Sequence, residues 1–390
     1  MYLTKEEERI LNGETGWATQ TCMKILVRLG ELFDAEKLIP IRSAHVSGIS
    51  YKTLGDAPIE FLKALADSGA KVKVKTTLNP QSIDPEYLSK KLPNDLRKKQ
   101  LSILNQFVRM NLTESLTCTP YYLSMPKRGS HVAWAESSAV VYANSVLGSW
   151  TNREGGPSAL AAAITGKTAD YGIHKPENRI PNLTINLEAK LQDEAEFGTL
   201  GIYLGKMIRD KIPIINGIQR ATKNQLKQLC AAIATTGMTN MFHRGSASKR
   251  EATEKIDVED RDLKQTVQEL STGSGKKPDL VFLGCPHCSS NEIGQIAQLV
   301  HRKKVKHGTE FWVCTSCHVK RNCEHYVNEI EKSGGHVLAG VCTVVSWTEK
   351  LGIETIMTNS AKTAYYAPTL SKADAVLAPM KECLKAALQG

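Results

Sequence analysis

Ile39-Pro40-Ile41-Arg42-Ser43-Ala44-His45-Val46-Ser47-Gly48-Ile49-Ser50 reads as a buried strand, Ile39 to Val46, that breaks at a small polar loop. A helix is expected to start around Ala57-Pro58, where proline suits a first turn. Further along, Val72 and Val74 alternate with Lys71, Lys73 and Lys75, which predicts a short strand ending at Thr77-Leu78-Asn79-Pro80. Upstream, Thr4-x-x-Glu7 ahead of Ile10 and Leu11 is a capping box, and Cys22, Ile25, Leu26, Leu29 and Leu32 continue at helical spacing, so Cys22 is expected in the core. Strand, polar loop and helix then recur. That alternation defines the α/β class, in which ligands bind at loops beyond the strand ends. Between Gly245 and Pro278 the composition turns to charged residues, Ser and Gly, including Ser271-Thr272-Gly273-Ser274-Gly275-Lys276-Lys277. This predicts α/β lobes over 1–245, a charged helix and linker over 246–277, and a further α/β lobe over 278–390. In that last lobe, Leu280-Val281-Phe282-Leu283 and His336-Val337-Leu338-Ala339 are short strands delivering Cys285 and Cys342.

With 390 residues the chain can bury large cores and is expected to form two or three lobes. The net charge of +10 favours an anionic metabolite or acidic partner. Ten cysteines would suit a secreted disulfide scaffold, but the start, Met1-Tyr2-Leu3-Thr4-Lys5-Glu6-Glu7-Glu8, has no apolar signal core. A reducing cytoplasm is therefore expected. No apolar run approaches the ~18 residues of a membrane span; Ala159 to Ile164 ends at Thr165-Gly166-Lys167.

Three cysteines stand in separate short segments just past apolar stretches: Leu116-Thr117-Cys118-Thr119-Pro120, Gly284-Cys285-Pro286-His287 and Gly340-Val341-Cys342-Thr343. Thiolates select iron-sulfur clusters, and three of them leave one iron of a four-iron cluster open to a substrate oxygen as a Lewis acid. The spacing also supports a serious rival. Cys285-x-x-Cys288 and Cys314-x-x-Cys317 are two knuckle-like pairs of a zinc ribbon, with Cys323 beside His325 able to extend it. Against zinc, the intervening stretch exceeds the usual ~15–20 residues, and Cys118 and Cys342 would have no role. Cys230 and Cys383 lie in apolar helical patterns and read as packed thiols.

Ser47-Gly48-Ile49-Ser50 offers hydroxyls and successive backbone N–H groups to a phosphate or carboxylate, although an ordinary turn with a serine cap has the same sequence. Asn79-Pro80 is equally readable as a self-bonded turn. Glu136-Ser137-Ser138, after Val132-Ala133-Trp134-Ala135, places a carboxylate able to orient a hydroxyl or move a proton, or simply to cap a helix. In Thr151-Asn152-Arg153-Glu154-Gly155-Gly156 the arginine suits a bidentate carboxylate clamp, or an internal pair with Glu154. Lys362, after Asn359-Ser360-Ala361, is a point charge for phosphate or a solvated lysine.

Taken together, in this order, these motifs with Leu3-Thr4 and Gly13-Glu14-Thr15-Gly16 resemble the aconitase X family over the whole chain. The resemblance implies an aconitase-like fold, several α/β/α lobes around a central cleft. It also implies a cluster-dependent dehydratase, with Cys118, Cys285 and Cys342 as ligands of a 4Fe-4S cluster that becomes 3Fe-4S when the labile open iron is lost. Ser47, Gly48, Ile49, Ser50, Asn79, Pro80, Glu136, Ser137, Ser138 and Lys362 become expected substrate contacts, and Glu136, Arg153 and Lys362 expected catalytic groups. The expected substrate is a small phosphorylated hydroxy acid, (R)-mevalonate 5-phosphate, dehydrated to trans-anhydromevalonate 5-phosphate in isoprenoid biosynthesis. No convincing base is visible; the resemblance implies a small swivelling-domain partner subunit that supplies a serine base. Relatives that dehydrate cis-3-hydroxy-L-proline are the alternative within the family; that substrate's amine needs an acidic partner and leaves Lys362 unexplained. From another class, a zinc-ribbon nucleic-acid-binding protein would use the basic run His301-Arg302-Lys303-Lys304-Val305-Lys306-His307, which lacks interleaved aromatics and reads better as a solvated helix end.

Overall fold

Thr4 and Glu7 cap the first helix, Lys5–Leu11, reciprocally: the Glu7 carboxylate accepts from the Thr4 N–H at 2.7 Å, and the Glu7 N–H donates to the Thr4 hydroxyl at 3.3 Å. The computed structural model describes residues 1–245 and 254–389. The chain divides into two compact units, Met1–Pro80 with Asp95–Ile180, and Gln81–Asn94 with Pro181–Gly390.

In the first unit the expected strand from Ile39 to Val46 is two strands. β1 (Leu38–Pro40) and β2 (Ser43–Val46) are separated because Pro40 has no N–H, Ile41 donates to the Gly166 carbonyl and Arg42 to that of His131. Likewise β3 is Lys75–Leu78 and excludes Val72 and Val74: the N–H groups of Val72 and Lys73 go to Met110 and Ala163, different partners that cannot form one ladder. β4 (Ala133–Trp134) completes a parallel sheet of order β3-β2-β4, and β1 pairs antiparallel with β5 (Lys167–Ala169). The helices Trp17–Leu32, Ala57–Asp67, Asn94–Arg109 and Gly156–Thr165 supply its core, with Cys22 only 1% exposed and its thiol pushed up to about 12 by burial. Proline opens Ala57–Asp67 as expected.

The second unit holds two parallel sheets. β6 (Leu183–Leu187), β7 (Pro213–Asn216), β8 (His243–Arg244) and β9 (Lys255–Val258) run in the order β8-β7-β6-β9. β10 (Leu280–Cys288), β11 (Glu310–Thr315), β12 (His336–Ala339), β13 (Thr355–Thr358) and β14 (Asp374–Leu377) run in the order β12-β11-β10-β13-β14. Every residue of β10 is buried, as befits the central strand of a parallel sheet. Burial of Leu280, Val281, Phe282 and Leu283 stabilises it by about 1.5–3 kcal/mol each. The order reverses between β10 and β13, and the carboxyl ends at such a switch point are where open α/β sheets bind ligands. Of the expected linker 246–277, residues 246–253 lie outside the described residues; the remainder carries β9 and the charged helix Asp260–Leu270. Cys230 and Cys383 are fully buried, as expected of packed thiols.

Candidate functional site at the carboxyl edges of the parallel sheets

Parallel strands send all their carboxyl ends to one edge, and each expected site motif follows such an end or runs beside one. In the first unit, β2 leads into Ser47–Ser50, β3 into Asn79-Pro80 and β4 into Glu136-Ser137-Ser138. Cys118 reaches the same edge because the N–H of Thr117 donates to the carbonyl of Leu78, the last residue of β3; the Cys118 side chain is half-buried.

These loops are bound together by side chains. The Asn79 amide donates to Glu136 Oε2 at 2.9 Å, and Glu136 Oε1 accepts from the hydroxyl of Ser138 at 2.9 Å. Because Asn79 presents its NH₂ to Glu136, its carbonyl faces His45 Nε2 at 3.3 Å, so that nitrogen carries the proton and Nδ1 accepts from the Thr77 hydroxyl at 2.7 Å. Burial pushes the His45 pKa down to about 4 against the opposing pull of the Glu136 carboxylate, so the ring is neutral at neutral pH. Glu136 thus serves as a helix cap, through the Ser138 N–H, and as an aimed carboxylate in one conformation. His45 was not among the expected site residues; a histidine inside an apolar strand, two residues before the loop, was the available signal.

The Ser47–Ser50 loop is equally fixed. Ser50 occupies the cap position of the helix Tyr51–Leu54, yet its side chain makes no capping bond. Buried Gln100 clamps the loop, donating to the Ile49 carbonyl at 2.9 Å and accepting from the Tyr51 N–H at 3.1 Å. On the other side, a Cβ at Gly156 would lie 2.7 Å from the Ser47 carbonyl oxygen, so only glycine lets the helix Gly156–Thr165 approach so closely. Arg153, half-buried, pairs with Trp134 as a parallel bridge beside β4. The Glu154 carboxyl accepts from Ser158 at 2.6 Å and Thr168 at 2.9 Å, and burial raises its pKa.

In the second unit, Cys285 and Cys342 share the carboxyl edge of the five-stranded sheet, with Asn359–Lys362 beyond β13 at the same edge. Leu283 pairs with Val313 but Cys288 with Thr315, so three extra residues bulge from β10 and carry Cys285 off the ladder. Gly284 makes this possible: its φ is +110°, and a Cβ there would meet the Cys314 carbonyl oxygen at 2.2 Å. Past β12, the Gly340 carbonyl accepts from Gln81, and Cys342 N–H donates to the Gln81 carbonyl at 3.2 Å. Ser360 caps the helix Ala361–Tyr366 through the Thr363 N–H, leaving Lys362 half-buried in its first turn.

The two Cys-x-x-Cys pairs do not form knuckles. Cys288 and Cys323 pack into the apolar core with Ile293, Val313 and Val327, Cys314 is wholly buried inside β11, and burial pushes the thiols of Cys288 and Cys314 well up. The basic run after the helix Ser290–Val300 is exposed over 301–304, and His301 and Lys304 are bonded to Glu329 and the Lys332 carbonyl.

An iron-sulfur cluster needs reduced thiols, and a substrate beside it needs polar atoms not already satisfied. By residue type the donors fit: all ten cysteines are free, Cys285 and Cys342 stand at one edge, and Asn359 Oδ1 and Thr363 Oγ1 beside it are buried without a partner among the described residues, although no three His, Cys, Asp or Glu side chains among those residues are gathered closely enough to hold one metal ion. Cys118 belongs to the first unit and the other two cysteines to the second.

The fold is of the α/β class with parallel sheets, whose members bind ligands at the carboxyl ends of the strands, where the candidate residues stand. Residues 1–177, 181–268 and 278–389 match the first, second and third domains of aconitase X. The phosphomevalonate dehydratase large subunit of Methanocaldococcus jannaschii is 43% identical over 404 residues, covering 99% of this chain and all of that one. A cis-3-hydroxy-L-proline dehydratase of Hypocrea jecorina is 31% identical, over all of this chain and 69% of its own length. The crystal structure of Thermococcus kodakaraensis aconitase X in its holo form superposes with a TM-score of 0.92 at 40% identity, covering 99% of this chain and all of that chain. The chain belongs to the aconitase X family. It is a dehydratase, a hydro-lyase. Among the described residues no helix is long and apolar enough to cross a membrane.

Proposed function

We propose that this chain is the large subunit of a two-subunit enzyme of the mevalonate pathway that removes water from (R)-mevalonate 5-phosphate, giving trans-anhydromevalonate 5-phosphate. The observation that carries the reading is the end-to-end match to a relative named for that activity, whereas the hydroxyproline enzyme extends well beyond the matched 69% of its length. The surplus of positive charge and Lys362 beside the buried Asn359 suit a phosphorylated acid better than an amino acid.

Cys118, Cys285 and Cys342 would hold a 4Fe-4S cluster, which supplies Lewis acidity to a departing hydroxyl when bound. The chain's own residues bind and orient. The backbone N–H groups of Ser47–Ser50 receive an anionic end of the substrate, Arg153 clamps a carboxylate, and Lys362 meets the phosphate. Glu136, locked by Asn79 and Ser138, orients the substrate hydroxyl or moves a proton at its Oε atoms. Ser137 and Pro80 line the same edge. A small partner subunit supplies the base, and a reducing cytoplasm keeps the cysteines as thiols.

The test is anaerobic purification of the chain alone and with its small subunit, with iron, sulfide, visible spectrum and dehydration measured on the same preparations. Iron and sulfide in both, with turnover of mevalonate 5-phosphate only in the pair, is the expected result. Zinc without sulfide, or turnover by the isolated chain at the rate of the pair, sinks it. Preference for cis-3-hydroxy-L-proline in competition assays would move the assignment to the other branch.

A further inference from the structure

The residues that carry Cys285 away from the ladder have lost the backbone bonds that would hold them in place, so side chains must do it. His287 is 1% exposed, and its Nε2 lies 2.8 Å from the Val341 carbonyl; a carbonyl only accepts, so Nε2 is the protonated nitrogen. Val341 C=O and Cys342 N–H belong to one peptide plane. That plane is therefore gripped at both ends, by His287 on its oxygen and by the Gln81 carbonyl on its N–H. His287 is itself gripped: its own carbonyl accepts from Lys227 Nζ at 3.1 Å, and Lys227 is paired at 2.5 Å with Glu292, which also receives the N–H and hydroxyl of Ser289. Lys227 and Glu292 are 1% and 3% exposed. A buried ion pair is seldom a source of stability in itself, so its location at this unladdered turn calls for a local role.

We infer that His287, anchored by Lys227 and Glu292, is a positioning residue that sets the spacing between the Cys285 and Cys342 thiolates and so governs how firmly a cluster is held. This rests on the cluster reading above. The arrangement parallels metal sites in which groups bonded behind the ligands orient them, where loss of such a group weakens metal retention by about 10–100-fold.

The experiment compares wild type, His287→Ala, His287→Gln and Lys227→Met after anaerobic reconstitution. It measures iron and sulfide per chain, the visible spectrum, the rate of iron loss to a chelator, and the melting temperature of the iron-free protein. Expected for His287→Ala is iron loss faster than wild type by about tenfold or more, with a nearly unchanged iron-free melting temperature, and substantial rescue in His287→Gln, whose amide can donate to Val341. Lys227→Met is expected to shift iron loss in the same direction; if it does not fold, the His287 pair decides. Iron loss from His287→Ala at the wild-type rate overturns the inference while leaving the cluster reading intact. Wild type that takes up no iron and sulfide overturns both.

Discussion

The two carboxyl edges are built differently. At the edge of the β3-β2-β4 sheet, side chains bond to one another in an unbroken run, Thr77 to His45 to Asn79 to Glu136, and Ser138 donates to the same carboxylate from the other side, so the donors converge on Glu136. At the edge of the five-stranded sheet the cysteine segments hang from backbone carbonyls and peptide planes, while Asn359 and Thr363 keep buried oxygens unsatisfied. The first edge is set before any ligand arrives and suits a charged group whose orientation decides a reaction; the second is left open, as a place that must accept something does.

The comparison can be broken most severely at Glu136. In the reconstituted pair, Glu136→Gln is expected to lower kcat by about 10²–10⁴-fold with a smaller change in KM, as read by steady-state kinetics. A raised KM with kcat unchanged would make the carboxylate a binding group only.

Acid tests the same run at His45. Its folded pKa is depressed from 6.5 to about 4, so between those values the unfolded chain binds the extra proton. The contribution is full above about 6.5 and is lost as pH falls through about 4, a swing on the order of 3 kcal/mol for so buried a ring. Urea unfolding of wild type and His45→Asn from pH 7 to 4 should show the slope reduced in the variant; an unchanged slope would assign it to other groups, such as His174, depressed to about 3.

Gly156→Ala should cost about 1–3 kcal/mol by chemical denaturation and raise KM, because the new methyl displaces the Ser47 carbonyl. At the smallest end, Cys317→Ser should leave iron content and stability unchanged; loss of a bound metal would revive a knuckle at that pair.

Legibility in the sequence followed how local the physics was. The cap at Thr4 and Glu7, the helix opening at Pro58 and the apolar run of β10 are written in neighbouring residues and were readable. The division of Ile39–Val46 was not, because it depends on carbonyls of Gly166 and His131 more than eighty residues away. The site's loops were recognisable by motif. What holds them was not: His45 was masked as one more residue in a strand, and Gln100, Gln81 and His287 act through partners far along the chain. Periodicity also misled at Val72 and Val74, where alternation continued but the bonds went to separate partners.

The excursion of Gln81–Asn94 into the second unit has a consequence for synthesis. Tyr87 must find Glu310, 223 residues later, and Gln81 must find Gly340. At ribosomal speeds of about 5–20 residues per second, this hairpin-length segment waits roughly 10–50 s for its partners while the chain on either side of it can already fold. The nascent protein therefore carries an unclosed stitch through most of its translation, and a stop after residue 180 would leave it permanently open.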